Sequence, residues 1–414
     1  MLGTAPWGIN ALRNRRGIML TALAAASALA LAACSSGTSS PASSPTAGTA
    51  VSASTLASLR ASLDQAEAAP AFAAPGPQVN ASVLQGKSVL VMPVNSQIDA
   101  CNTQAQDFQA LGKQLGLNVT IYNDTGVPTQ WMAGIEAATA DRDQAIVALC
   151  GVVPQLVSSQ LQAAHQAGLS FIDGNYNETN YYTGLDAETA VNTVQGITDD
   201  VDEAILNQNG KPMHALVVTS PSIIQGPAGA AAATSAVQAT CPSVCSVVNL
   251  SIPIQNWATS TQSEVQQELV SHPDINAVII VFDGMVQFAY NAVASMHRPG
   301  LEIYTWGGSR TVEAYMLEHG SLIAADPGPD EQWDAWEAMD QTIRLLSGKP
   351  AASVNNEVAP NRFWTPDNVA QFFGPAGTYG NRGFDDGAFI NGFFTLWGVP
   401  PSSSAFSAFA TGSG

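Results

Sequence analysis

Short, continuously apolar runs, each followed by a stretch with helical spacing, recur along most of this chain and limit its fold more than any other feature. Ser88–Val94 (SVLVMPV), Asn118–Tyr122 (NVTIY), Ala145–Leu149 (AIVAL) and Leu169–Ile172 read as strands. Between them Thr103–Leu115, Trp131–Ala140 and Val157–Ala167 carry apolar residues at helical intervals, with Gly116 and Gly168 as stops. The rhythm resumes with strands at His214–Thr219, Ser246–Ser251, Ala277–Phe282 and Glu302–Trp306. Strands that are apolar on both faces need cover on both faces, and strand–helix repeats supply it, so the sheets are parallel and sandwiched by helices. Right-handed crossovers make each sheet doubly wound. The strands are too many for one sheet and fall into two series, Gly86 to about Gly184 and from about Thr189 onward. The expected class is α/β, with two doubly wound parallel-sheet lobes. A length of 414 residues suits two lobes with tails.

Charge narrows the partners. There are 14 Lys and Arg against 33 Asp and Glu, a net charge of −19. A nucleic-acid binder displaces counterions with a basic stripe that this chain lacks. An anionic membrane surface would repel it, so membrane attachment needs covalent lipid or a spanning helix. The same acidity favours a neutral or cationic ligand.

The first 34 residues read as an address. Arg13, Arg15 and Arg16 precede the apolar run Ile18–Leu31, which is short for a membrane span. It ends in Leu31-Ala32-Ala33-Cys34, which resembles the bacterial lipobox, in which the cysteine is acylated. The resemblance implies a lipid anchor at Cys34 on the extracytoplasmic face of the cell membrane. Residues 35–85 begin with a Ser-, Thr-, Pro- and Ala-rich stretch expected to be a tether, and 400–414 read as a flexible tail.

Export also bears on the cysteines. Apart from Cys34 there are Cys101, Cys150, Cys241 and Cys245, an even number, and three pairings are open. Cys241-Pro-Ser-Val-Cys245 spans a tight turn, so a local bridge is the first expectation and Cys101–Cys150 follows by elimination. The five His are scattered without ligand spacing, so no metal site is expected.

The two-series pattern resembles the type I periplasmic binding proteins, the ribose- and galactose-binding group, over about Gly86 to Val399. Several segments carry the likeness. Val91–Gln97 is similar to the family's first strand and ligand loop. Phe171-Ile172-Asp173-Gly174-Asn175 is similar to the strand that ends in a ligand-contacting Asp. Gly184-Leu185-Asp186, Val278–Ala289 and Ala324–Pro327 resemble its hinges, Tyr304–Gly308 its late ligand strand and Asn361–Val369 its closing segment. The chain departs from the sugar binders at Gly174, where they usually have Arg. It departs again at Thr305-Trp306-Gly307-Gly308, where they have Gly-Phe-Asp-Gly.

The resemblance implies a three-crossing hinge near Asp186, Asp283 and Asp326. It assigns 86–185 with 284–323 to the first lobe and 186–283 with 324–399 to the second. It implies a monomeric, non-enzymatic binding protein that hands a sugar or polyol to an ABC permease and its ATPase, without a cofactor. A ligand-sensing receptor of the same fold and a cleft hydrolase are the alternatives.

Ligands of open parallel sheets bind beyond the carboxyl ends of the strands. The residues placed there are Asn95, Ser96, Gln97, Asp173, Asn175, Ser220, Asn256, Asp283 and Trp306, with Trp257 in the loop after a strand. Carboxylates and amides suit hydroxyls because each donates or accepts in fixed directions. The tryptophans offer an apolar face to a sugar ring. Asn95, Ser96 and Asp283 also suit helix caps, and Asp173 a turn. No Gly-rich phosphate loop follows a strand and no Gly-x-Ser-x-Gly elbow is present, so no catalytic residues are expected.

Overall fold

In a computed structural model, residues 50–175, 184–318, 320–371, 384 and 387–410 are described; Cys34, Tyr176 and Tyr181 lie outside them. The first sheet holds β1 (Ser88–Pro93), β2 (Asn118–Ile121), β3 (Ala145–Leu149), β4 (Ser170–Asp173) and β5 (Ala187–Glu188), in the order β2-β1-β3-β4-β5. Every pairing is parallel, with Val91 opposite Val147 and Ile146 opposite Phe171. The helices α2 (Asp99–Gln114), α3 (Pro128–Asp141) and α4 (Ser158–Gln166) connect these strands. In α2, Cys101, Ala105, Phe108 and Leu111 are buried, the helical spacing that a sheet-facing stripe requires.

The second sheet repeats this plan. It contains β7 (His214–Thr219), β8 (Ser246–Ser251), β9 (Ala277–Ile280), β10 (Glu302–Thr305) and β11 (Ile323–Ala325), in the order β11-β10-β9-β7-β8. Its helices are α5 (Thr193–Asn207), α6 (Gln225–Thr240), α7 (Trp257–Ser271), α8 (Val286–Ser295) and α9 (Arg310–Met316). Each sheet begins in its interior and sends its second strand to one side and its third to the other. That reversal opens a crevice at the carboxyl ends.

Sheet membership corrects the expected lobes. β10 and the start of β11 lie in 284–323, which was expected in the first lobe, yet both strands pair in the second sheet. Asp283 is therefore no crossing; it opens a 3-10 turn, Asp283–Met285, between β9 and α8. The chain passes between the lobes at β6 (Ala190–Val191), at 326–330, and at β12 (Val358–Ala359), which pairs in parallel with β6. Between the last two passages, α10 (Glu331–Leu346) returns to the first lobe and packs along α2.

The ends are also more ordered than expected. Within the expected tether, α1 (Ala53–Ala66) is a helix capped by Ser52, whose hydroxyl accepts from Thr55 N at 3.1 Å. It lies on α5, with Leu63 buried and Arg60 3.5 Å from Glu203. The chain then reaches the first lobe, where Phe72 meets Phe393 with ring centroids 4.9 Å apart. At the other end α11 (Ala388–Leu396) and α12 (Ser404–Ala410) cover α10, so 400–414 is not simply a tail. Trp336 is fully buried among Phe389, Phe393, Phe394, Trp397 and Phe409, because aromatic residues on α11 and α12 recur on one face.

Two disulfides are present, Cys101–Cys150 and Cys241–Cys245, with Cα atoms 5.8 and 5.5 Å apart. Both match the expected pairing. No described helix is long and apolar enough to cross a membrane.

Candidate functional site

Residues that follow β1, β3 and β4 in one sheet and β9 and β10 in the other meet around a cavity of about 70 Å³. Its wall is mostly apolar, from Val94 and Ile98 on one side to Ile223 and Gly284 on the other, with the Cys101–Cys150 bridge set into it.

The local backbone explains how the polar wall forms. Cys150 and Asn175 each leave their strand in the left-handed conformation, at φ 65° and 66°. Asn tolerates that region better than most residues, and Cys150 is held there by its bridge. Gly151 N donates to Gly174 O at 2.8 Å, tying the two exits together. Asn175 N donates to Thr189 Oγ1 at 3.2 Å, which fixes it beside the first crossing.

The second lobe supplies the aromatic part. Trp257 opens α7 and donates its ring N–H to Ile252 O at 3.1 Å. Its ring lies 5.9 Å from that of Phe282, stacked at 30°, and Phe282 meets Trp306 edge-on at 6.4 Å. Gly196 is required beneath Trp306, because a side-chain carbon there would strike the indole.

Two carboxyl groups complete the wall. Asp283 Oδ2 accepts Ser309 N at 2.8 Å, and its main-chain N donates to Trp306 O at 2.9 Å. Burial, only partly offset by these hydrogen bonds, raises its carboxyl to about 6. Asp334, on α10, accepts Gln104 Nε2 at 2.9 Å. Its carboxyl is raised well above the usual carboxylate range, first by burial and then by Asp330. No group of His, Cys, Asp or Glu suited to a metal ion is found among the described residues.

Of the residues expected from sequence, Asn175, Trp257, Asp283 and Trp306 line this cavity. Asn95, Ser96, Gln97, Asp173, Ser220 and Asn256 stand outside its wall. Asn95 Oδ1 accepts Gln97 N at 2.8 Å and Ser96 Oγ accepts Asp124 N at 3.0 Å, so both shape the loop after β1. Gln97 and Asn256 are exposed, and Ser220 is buried beneath the start of α6. Asp173 is fully buried beside Glu188, and burial followed by that neighbour raises its carboxyl well above the usual range.

Gln104, Gln225, Phe282 and Asp334 line the cavity without having been singled out in the sequence. Phe282 was legible as the residue ending an apolar strand before Asp283. Gln225 opens α6 and Gln104 sits in the second turn of α2, both helices that follow strands, a weaker signal. Asp334 had none, because its helix belongs to a lobe whose strands ended far earlier in the chain.

No family model and no curated protein sequence matches this chain. Solved structures do match. A solute-binding protein of an ABC transporter from Agrobacterium vitis, with bound allitol, is 18% identical; the match covers 69% of this chain and 98% of that one, with a TM-score of 0.61. The fold is that of the type I solute-binding proteins. A second member, from Clostridium phytofermentans with bound β-D-glucose, is 13% identical over 72% of this chain and 100% of that one, with a TM-score of 0.61. A sugar ABC transporter protein from Yersinia enterocolitica is 17% identical over 83% and 99%, with a TM-score of 0.59.

Proposed function

We propose that this protein is the extracytoplasmic, lipid-anchored binding component of an ABC importer, which captures a small polyhydroxylated ligand between its lobes. It binds and does not catalyse. The observation that carries the reading is a cavity walled by both lobes: Gln104, Asn175 and Asp334 from one, Trp257, Asp283 and Trp306 from the other. A ligand that touches both lobes when they are closed, and one when they are open, favours the closed form by that difference. The permease and its ATPase then receive the closed, loaded form, and the protein acts as a monomer held by Cys34. The solved proteins of this fold with bound allitol and glucose support the ligand class.

Thermal-shift screening of sugars, polyols and nucleosides tests the reading, because a ligand that binds only the folded state raises Tm. The best ligand should reduce the radius of gyration in solution scattering. A tight ligand that leaves the scattering curve unchanged refutes capture by closure. Wild type should partition with membranes and Cys34→Ala should not.

A further inference from the structure

Among the described residues of the cavity wall, every polar side chain is an acid or an amide, and none is Lys, Arg or His. We propose that the ligand is a small organic cation, an ammonium-bearing polyol held in preference to its neutral counterpart. This rests on the binding function proposed above and narrows its ligand class.

Three observations converge. First, the wall leaves acceptors in want of donors. Asp334, 3% exposed, has its Oδ1 without a well-formed hydrogen bond, Asn175 being the amide that bears on it. Gln225, 4% exposed, has its Oε1 without one. A neutral hydroxyl satisfies one acceptor, whereas an ammonium group offers three donors and a charge.

Second, Trp257, Phe282 and Trp306 stand in the same wall, and aromatic faces attract cations through the ring quadrupole. Third, the titratable groups that bear on the two cavity acids are themselves acids, and burial holds Glu313, Asp326, Glu331 and Glu337 toward their neutral forms. Asp99, Glu313, Asp326 and Glu331 bear on Asp283, and Asp330 and Glu337 on Asp334. The nearby cation, Arg310, is taken by Asp107 at 2.8 Å and Glu331 at 3.3 Å. A cation entering the cavity stabilises the charged forms of Asp283 and Asp334, so its binding expels protons, and a neutral ligand does not have this effect.

The test is calorimetry on the intact protein with matched pairs: D-glucosamine against D-glucose, and 1-amino-1-deoxy-D-glucitol against D-glucitol, at pH 5 and pH 7.5. The amine of at least one pair should bind about 10-fold or more tighter at pH 7.5, with proton release that scales with buffer ionisation enthalpy. The preference should shrink at pH 5. Asp334→Asn, which keeps an oxygen for Gln104, should bring the pair to near parity without lowering Tm. A neutral member that binds as tightly as its amine, with no proton release, overturns the cation proposal and leaves capture of a polyol standing. Failure of all four compounds to bind counts against both. The comparison within each pair uses the unaltered protein, so it holds even if the variant misfolds.

Discussion

Replacing Cys101 and Cys150 together by Ala should cost this protein about 4 kcal/mol of stability. The bridge closes a loop of 49 residues, and confining the unfolded chain to a loop of that length removes entropy worth about 4 kcal/mol at 25 °C. The Cys241–Cys245 bridge spans 4 residues, and the same relation gives it about 2 kcal/mol. For lobes of this size the first loss corresponds to a fall of roughly 10 °C in Tm. The measurement is urea denaturation followed by Trp emission, on oxidised wild type, reduced wild type and both double-Ala variants. Reduced wild type should behave as the sum of the two variants, since the bridges lie in different lobes. Because Cys101 and Cys150 also line the cavity, their loss should weaken ligand binding, and loss of the second pair should not. Equal destabilisation by the two pairs, or none by the first, would refute the loop-entropy reasoning.

Three further outcomes follow from the structure. Burial raises Asp199 to about 6 and Asp202 to about 7, so both bind protons more tightly folded than unfolded. Their stabilisation is complete below about pH 4 and is lost as pH rises through 6 to 7; the urea midpoint should be higher at pH 5 than at pH 8, and a midpoint rising over that range would contradict it. Arg344 is nearly fully buried, and its Nε donates to Asp340 Oδ2 at 2.5 Å. Arg344→Met should cost about 3–5 kcal/mol by leaving buried acid unpaired, read as a shift in the denaturation midpoint. Gly307→Ala would drive a side-chain carbon into the Asp283 carboxylate, so it should weaken ligand binding at least 10-fold, measured by calorimetry with Tm as a control.

Much of the fold was legible because parallel strands buried on both faces leave unbroken apolar runs. His214–Thr219 and Ala145–Leu149 coincide with β7 and β3, while β8, at the sheet edge and partly exposed, was marked by its β-branched pair Val247 and Val248. The lobes were harder to assign. A strand's own residues do not say which sheet it joins, and β10 reads alike in either. The ends misled through composition: α1 lies in a segment poor in aromatic and β-branched residues, yet Leu56, Leu59 and Leu63 are spaced to face α5. α10 reads as a surface helix because Glu331, Asp334, Glu337 and Asp340 recur along it, and all four are buried. Burial raises the carboxyls of Glu331, Asp334 and Glu337 well above the usual range, so protonation lowers the cost of holding them inside.

That cost is concentrated where the ligand and the crossing meet. Asp283 Oδ2 accepts Ser309 N at 2.8 Å, and Asp326 Oδ1 accepts Gly308 N at 3.0 Å, so one short loop after β10 is gripped by an acid of the cavity and an acid of the crossing. Gly328 packs so closely on Gly307 and Gly308 that a side-chain carbon there would strike their backbone. A ligand that draws on Asp283 therefore acts on a loop already joined to the crossing, through contacts too close to slide independently. On the proposed capture by closure, cleft occupancy and lobe angle would be linked through these hydrogen bonds, with no need for a longer path.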